Sequence, residues 1–158
     1  MTARTVRRAV ERDVPDLVRL RAEMFRAMGT PGHDAPSWQA AAAGWFTERI
    51  GDPRFCFAVV ETGGAVVATA MGILRESAPS PGSSEGDALI GNVCTDPGAR
   101  RQGHARAAFD EVVAWAAESG AGRAELMATD EGRGMYEAAG FRVTHAPAMR
   151  AVLRTNAR

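Results

Sequence analysis

The sequence predicts an α/β fold: a single-domain, mixed, mostly antiparallel twisted sheet with helices on both faces. Strand-like and helix-like segments follow one another in the order β-α-α-β-β-β-α-β-α-β-β, which combines antiparallel hairpins with one strand–helix–strand crossover. The length of 158 residues, 46% of them hydrophobic, suffices for one core and is short for two. We therefore assign residues 1–158 to one domain.

A strand and two helices form the N-terminal third of this prediction. Residues 5–10 are strand-like, and Asp13 is the expected N-cap of a helix that ends at Gly29. Ser37 is the expected cap of a second helix, which runs to about Ile50. The apolar stripe of the first helix consists of Leu17, Leu20, Met24 and Met28, with Val18, Arg21 and Phe25 beside it.

A hairpin and a third strand follow. Residues 55–61 and 65–74 are β-rich, and Thr62-Gly63-Gly64 between them predicts a tight turn. Residues 77–86, rich in Ser, Pro and Gly, predict a loop. The next strand covers residues 88–95 and leads into a turn rich in Gly and Arg.

The C-terminal third adds a helix, a strand, a short helix and two further strands. The predicted ranges are 104–119, 123–129, 131–139, 140–143 and 149–153. Gly120 fits the position after the first of these helices, and Asp130 is the expected cap of the second.

Composition excludes several classes of partner. The 19 basic residues balance 19 acidic ones, whereas nucleic-acid binders usually carry a basic excess, so no nucleic acid is expected. No apolar segment approaches the roughly 20 residues that span a bilayer, and the N-terminus lacks the apolar core of a signal peptide, which favours a cytoplasmic protein without a membrane. Cys56 and Cys94 lie in apolar segments without metal-ligand spacing, which predicts buried thiols and no metal.

The turn between the third strand and the following helix has the chemistry of a phosphate site. Gly103 has no Cβ, so the backbone can approach a bulky anion closely. A helix N-terminus presents unpaired N–H groups and a partial positive charge, to which Arg100 and Arg101 add charge-assisted hydrogen bonds. The glycine spacing matches neither a Walker loop nor a Rossmann fingerprint. On this motif alone, a solvated Arg-rich turn remains the alternative.

Two motifs occur in a fixed order along the chain. The first is the strand Val93-Cys94-Thr95 followed by Arg100-Arg101-Gln102-Gly103-His104-Ala105 and a helix. The second is a short helix that carries the only tyrosine, Tyr136, and is followed by Gly140-Phe141. Together they resemble the GCN5-related N-acetyltransferase (GNAT) superfamily, whose Arg/Gln-x-x-Gly-x-Gly/Ala element is similar to the first motif. The predicted element order resembles the family's fold along essentially the whole chain.

The resemblance implies that acetyl-CoA is bound as co-substrate where the strands ending at Thr95 and Thr129 splay apart. The pantetheine arm would pair with the backbone of Val93 and Thr95, and the pyrophosphate would lie on the N–H groups of residues 101–105. The implied cofactor-binding residues are Val93, Cys94, Thr95, Arg100, Arg101, Gln102, Gly103, His104 and Ala105. For Cys94, packing or pocket lining is favoured, and for His104 a solvent-facing position is the alternative.

The resemblance also implies that Tyr136 protonates the departing CoA thiolate, since a phenol can donate to developing sulfur charge. A packing role for Tyr136 is the alternative. Direct attack of an amine on the thioester needs no metal and no covalent enzyme intermediate. Many relatives place a carboxylate before the turn, where this chain has Gly91-Asn92, so the general base stays unassigned. The candidates are Glu23, Glu76, Asp87 and Asp130.

In the family, the first helix pair forms one wall of the acceptor site. Met24, Phe25 and Met28, with Asn92 on the strand, are therefore the implied substrate-binding residues. The expected activity is acetyl transfer from acetyl-CoA to a primary amine, foremost that of a small molecule. A protein or peptide N-terminus or lysine is the alternative acceptor, and a non-catalytic acyl-CoA-binding module is the alternative function. Edge strands near the C-terminus leave a homodimer open.

Overall fold

The computed structural model describes residues 3–154. These residues fall into two compact units, one that extends to Met127 and one that begins at Ala128. The single domain over residues 1–158 stays a prediction.

The first unit is built on a five-stranded sheet with the strand order β1-β2-β3-β4-β5. The strands are β1 (Arg4–Arg8), β2 (Phe55–Thr62), β3 (Ala65–Arg75), β4 (Asp87–Thr95) and β5 (Arg123–Leu126). The first four are antiparallel to their neighbours, and β4 pairs with β5 in parallel. The predicted mixed and mostly antiparallel sheet is thus confirmed.

Helices cover both faces of this sheet, as predicted. They are α1 (Val14–Ala27), α2 (Pro36–Arg49) and α3 (His104–Glu118). On one face, Leu17 of α1 and Phe46 of α2 share a buried cluster with Phe57 of β2. On the other face α3 lies so close that a Cβ on Gly72 would come within 2.6 Å of the Trp115 ring. Since α3 is the β4–β5 crossover, only the loop of residues 96–103 separates its N-terminus from the end of β4.

The first two helices begin without the side-chain caps that the sequence predicts. The Asp13 carboxylate makes no bond to α1; it accepts hydrogen bonds from Arg7 Nη1 at 2.6 Å and from the Val10 N–H at 2.8 Å. The Arg7 guanidinium lowers the pKa of Asp13. Ser37 lies inside α2, which begins at Pro36. Asp13 is drawn away because a buried carboxylate gains more from a guanidinium than from a backbone N–H.

The second unit contains α4 (Asp130–Ala138). Its cap is Thr129, whose Oγ1 accepts a hydrogen bond from the Gly132 N–H at 3.2 Å, so the predicted cap, Asp130, is wrong by one residue. Thr129 is in the extended conformation that a cap requires, whereas Asp130 is already helical.

The two strands predicted over residues 140–143 and 149–153 are wrong, since none of the described residues 139–154 lies in a strand. A strand needs a second strand that pairs with its backbone N–H and C=O groups, and among the described residues neither segment is paired in this way. Their apolar side chains are exposed, Val143 to 69% and Leu153 to 91%. The strand predicted over 123–129 also ends early, at Leu126.

Candidate active site

Strand β4 loses one of its two neighbours halfway along its length. The last pair that it forms with β5 joins Ile90 to Leu126, whereas β3 accompanies it to Thr95. Among the described residues, the β5 side of residues 91–95 therefore has no strand beside it. An extended ligand can add to such an edge through backbone hydrogen bonds. This is the stretch for which the sequence predicts the pantetheine arm.

A β-bulge redirects β4 at Asn92. Thr69 and Met71 of β3 pair with Cys94 and Gly91, so β4 contains an extra residue here. Asn92 adopts a φ of +52°, in the left-handed region that asparagine tolerates better than most residues. Its side chain is 6% exposed, and Oδ1 accepts a hydrogen bond from Arg21 Nη1 at 3.0 Å. The bulge thus joins β4 to α1 through a partly buried polar contact.

The loop after β4 carries backbone N–H groups that can face an anion. Arg101 and Gly103 have φ values of +61° and +77°, and left-handed residues in a turn bring successive N–H groups to one side. The first-turn N–H groups of α3, which begins at His104, add further unpaired donors. A Cβ on Gly103 would meet only Arg4 Nη1, at 3.5 Å. Glycine is therefore required here by φ rather than by lack of space.

The side chains of this loop differ in their contacts. Arg100 folds back, with Nε 3.4 Å from the Thr95 carbonyl oxygen and Nη2 3.4 Å from Glu23. Arg101 and Gln102 are exposed. From β1, Arg4 donates a hydrogen bond to the Gly103 carbonyl oxygen at 3.3 Å, which brings a further cation to the loop. Arg4 could not be identified from the sequence, because no local pattern connects positions so far apart in the chain.

Three buried side-chain polar atoms have no hydrogen-bond partner within the described part of the chain. They are Asn92 Nδ2, Thr95 Oγ1 and His104 Nδ1. All three lie on the continuous segment formed by β4, the loop and the start of α3. An unsatisfied buried polar group costs about 1–3 kcal/mol, so this concentration favours groups that are kept for a ligand. His104 is 7% exposed and does not face solvent.

Cys94 is a core residue. It lies in the buried cluster with Leu17 and Leu20, and burial raises the pKa of its thiol to about 11. Burial likewise raises the pKa of Cys56 to about 11. Since the thiolate is the nucleophile, neither cysteine is suited to covalent catalysis at neutral pH.

The predicted acceptor residues of α1 have unequal environments. The Phe25 ring meets Trp38 edge-on, with centroids 5.5 Å apart, and Arg21 lies over it, 4.8 Å from the ring centroid. Met24 packs against the core cluster, whereas Met28 is 58% exposed. The Arg21–Asn92 contact brings this turn of α1 next to the β4 bulge. Substrate binding by these residues stays a prediction.

The contacts of the four candidate residues favour none of them as the general base. Glu23 accepts hydrogen bonds from Arg26, which lower its pKa and make it a weaker base. Asp87 is buried against Arg123 at the opposite end of β4 from the loop, about 26 Å away at the usual rise per strand residue. The other two, Glu76 and Asp130, are exposed.

In the second unit, Tyr136 lies on α4, with its ring centroid 6.4 Å from that of Phe141. A Cβ on Gly132 would approach Tyr136 Cε2 to 3.1 Å, so the glycine makes room for the ring. Burial raises the pKa of Tyr136 above its usual value near 10. The residue is therefore a phenol at neutral pH and has a proton to donate.

A second feature of the first unit is a polar cleft beside β1 and the start of α1. Most of its charges pair with one another, Arg7 with Asp13 and Glu61, and Arg19 with Asp16. In residues 3–154, no three His, Cys, Asp or Glu side chains form a group that could hold a metal ion. No helix in that range is both long and apolar enough to cross a membrane.

The unpartnered Thr95 hydroxyl gives a stability test with a matched control. We expect Thr95→Val to leave the free energy of unfolding unchanged or to raise it by up to about 1 kcal/mol, because it removes a buried hydroxyl without a partner. Thr69→Val should lower it by about 1 kcal/mol, because Thr69 Oγ1 donates to the Ala58 carbonyl oxygen at 2.9 Å. Urea denaturation compares the two variants; equal losses of stability would contradict an unpaired Thr95.

The family model for the Acetyltransferase (GNAT) family matches residues 15–141. Among solved structures, a GCN5-related N-acetyltransferase from Ralstonia eutropha JMP134 is 26% identical, with a TM-score of 0.83 over 94% of this chain and 99% of that chain. A protein from Clostridium acetobutylicum described as a predicted acetyltransferase, solved with acetyl-CoA, is 23% identical, with a TM-score of 0.83 over 98% of this chain and 99% of that chain.

Glucosamine-6-phosphate N-acetyltransferase from Arabidopsis thaliana is 15% identical and shares the fold, with a TM-score of 0.77 over 96% of this chain and 99% of that chain. No protein of curated function matches the sequence. The family match covers most of the chain, including β4, the loop and the helix with Tyr136. The chain therefore belongs to the GNAT family and is an acetyl-CoA-dependent N-acetyltransferase.

Proposed function

We propose that this chain acetylates a primary amine of a small molecule in the cytoplasm. Acetyl-CoA supplies the activated acetyl thioester, which the amine attacks directly. The observation that carries the donor half of the proposal is the pair of unpartnered buried polar atoms at the end of β4 and the start of α3, Thr95 Oγ1 and His104 Nδ1. These groups, together with the open edge of β4, support a ligand that extends from the strand to the helix N-terminus.

Most of the proposed donor contacts are made by the main chain. The unpaired edge of β4 supports backbone hydrogen bonds from Val93 and Thr95 to the pantetheine arm. The N–H groups of residues 101–105 support binding of the pyrophosphate, since a helix N-terminus and a left-handed turn both favour anions. Arg101 and Arg4 add positive charge to this end of the site.

Tyr136 is the proposed general acid. Its raised pKa keeps it protonated, so it can donate a proton to the sulfur as the thiolate departs. The attacking amine must itself be neutral, whereas an ordinary alkylamine has a pKa of about 10.4. The rate should therefore rise with pH over the neutral range, as the neutral fraction of the amine increases.

The acceptor side supports a small molecule rather than a long peptide. The groups beside the β4 bulge are concentrated on one turn of α1, where Arg21 contacts Asn92 and lies over Phe25. They offer one cation, one buried amide and one aromatic face within a short distance. A peptide that occupies an extended groove would need contacts distributed along the helix.

An acceptor screen tests the proposal. Free-thiol release from acetyl-CoA is measured with a panel of small primary amines, with peptides that carry free N-termini and with peptides that carry lysines. We expect at least one small amine to accelerate thiol release about tenfold or more over hydrolysis, with the acetylated amine identified by mass. Acceleration by peptides alone would contradict a small-molecule acceptor, and acetyl-CoA binding without any acceleration would indicate a non-catalytic module.

A further inference from the structure

Arg21 is a half-buried cation without a carboxylate partner among residues 3–154. It lies four residues from both Leu17 and Phe25, which places it on the apolar face of α1. Its Nη1 donates to Asn92 Oδ1, and its guanidinium lies over the Phe25 ring. Burial lowers the pKa of Arg21, as expected for a cation removed from water without a counter-ion.

Several other arginines of the same unit form ion pairs with carboxylates. Arg19 pairs with Asp16, Arg26 with Glu23 and Arg123 with Asp87. Arg21 receives only the amide oxygen of Asn92 and an aromatic face, and neither carries a full negative charge. A buried charge without a partner is costly, so the retention of Arg21 at this position favours a binding role.

Asn92 supplies the second observation. Its Oδ1 faces Arg21, which fixes the orientation of the amide, because a guanidinium can only donate. The Nδ2 group therefore points elsewhere, is buried and has no partner within the described residues. Two adjacent side chains thus present N–H donors that the protein itself does not satisfy. Donor groups without acceptors are complementary to an oxyanion.

We infer that Arg21 and Asn92 bind an anionic oxygen group of the acceptor, so that the preferred acceptor is a small amine that also carries a carboxylate or a phosphate. This inference rests on the proposed acetylation of a small amine. A guanidinium binds either group through paired N–H bonds, and the Asn92 amide adds another donor. Such an acceptor would neutralise the one half-buried cation that the described ion pairs leave without a carboxylate.

The test uses matched pairs of acceptors with acetyl-CoA as donor. In one arm, primary amines that carry a carboxylate are compared with the same amines as carboxamides. In the other arm, amine phosphates are compared with the corresponding amine alcohols. The value of kcat/KM is measured for each by thiol release, and binding of each acceptor to the protein saturated with CoA is measured by calorimetry. We expect the anionic member of at least one arm to be preferred about tenfold or more.

Variants assign the preference to Arg21. Arg21→Gln should reduce the ratio between anionic and neutral acceptors to about one, and Arg21→Lys should retain part of it, because the charge stays while the planar fork is lost. Arg26→Gln, which alters an exposed cation of the same helix, should preserve the ratio. The affinity for acetyl-CoA, measured alongside, should be the same in all three variants.

The outcomes separate this inference from the proposed function. Transfer to amines without any preference for an anionic member, or a preference that persists in Arg21→Gln, would overturn the role of Arg21. Loss of acetyl-CoA affinity in Arg21→Gln would also overturn it, since the arginine would then serve the donor. An Arg21-dependent preference in binding, without transfer to any amine, would support the anion site and contradict the proposed acetylation.

Discussion

Replacing Gly103 with glutamate should weaken acetyl-CoA binding at least about 100-fold, which corresponds to a loss of about 2.7 kcal/mol. Gly103 has a φ of +77°, where a residue with a Cβ incurs a strain of about 1–2 kcal/mol. The new carboxylate would also lie among the N–H groups proposed to hold the pyrophosphate, and like charges repel. The dissociation constant is measured by calorimetry with acetyl-CoA and with CoA.

Gly120→Glu is the matched control for this variant. Gly120 has a φ of +81° and open space where a Cβ would lie, so it incurs the same kind of strain and the same change of charge. It follows the C-terminal end of α3, which is about 22 Å long, so it lies far from the loop. The affinity of Gly120→Glu for acetyl-CoA should stay within about twofold of the wild type. Equal losses in the two variants would show that the loop is not the pyrophosphate site.

Replacing Tyr136 with phenylalanine should lower kcat about 100-fold while the affinity for acetyl-CoA stays within about twofold. The variant keeps the ring, with its contact to Phe141, and removes only the hydroxyl. If that hydroxyl protonates the departing thiolate, the loss falls on turnover rather than on binding. Steady-state kinetics with an active amine, together with calorimetry, separate the two quantities.

The loss of turnover in Tyr136→Phe should not depend on pH between 7 and 9. Because burial raises the pKa of Tyr136 above 10, the wild type keeps its acid protonated throughout the neutral range and loses it only in strong alkali. Tyr136→Phe should therefore lose turnover by the same factor at pH 7 and at pH 9. Phe141→Leu, which keeps the phenol and alters its packing partner, should retain most of the turnover. Wild-type turnover in Tyr136→Phe, or an equal loss in Phe141→Leu, would contradict the acid role.

The sheet and its helices could be predicted because their determinants are local. The Gly63-Gly64 turn fixes the β2–β3 hairpin, and the apolar stripe of α1 is readable from spacing alone. The loop before α3 is identifiable because phosphate chemistry at a helix N-terminus has a short sequence pattern. The left-handed Arg101 beside Gly103 could not be foreseen, since non-glycine residues rarely adopt that conformation.

Two of the errors concern interactions between distant residues. Residues 149–153 have the alternation of a strand, but a strand forms only where a partner is present, and alternation does not supply one. Asp13 resembles a helix cap in the sequence because its bond to Arg7 of β1 is not visible locally. The predicted cap of α4 is misplaced by one residue because Thr129 and Asp130 are both good caps, and only the backbone conformation decides between them.

The backbone elements of the candidate site could be predicted from the sequence, whereas its side-chain contacts could be predicted only in part. Asn92 is identifiable from the sequence as a candidate substrate-binding residue. Its bulge and its contact with Arg21 are not, because they depend on the pairing of β3 with β4. Arg21 stands in the sequence as a polar residue beside an apolar stripe, and its role is not predicted there. Its spacing of four from both Leu17 and Phe25 is the available signal, because a charged residue on the buried face of a helix is unusual.

Amide hydrogen exchange with and without acetyl-CoA tests most directly whether β4 and its loop form the donor site. Acetyl-CoA should slow exchange about tenfold or more at Val93, at Thr95 and in residues 101–105, because these N–H groups would donate to pantetheine and pyrophosphate. The polar cleft around Arg7 and Glu61 should be unchanged. Protection confined to that cleft, with residues 101–105 exchanging as in the free protein, would contradict the donor site.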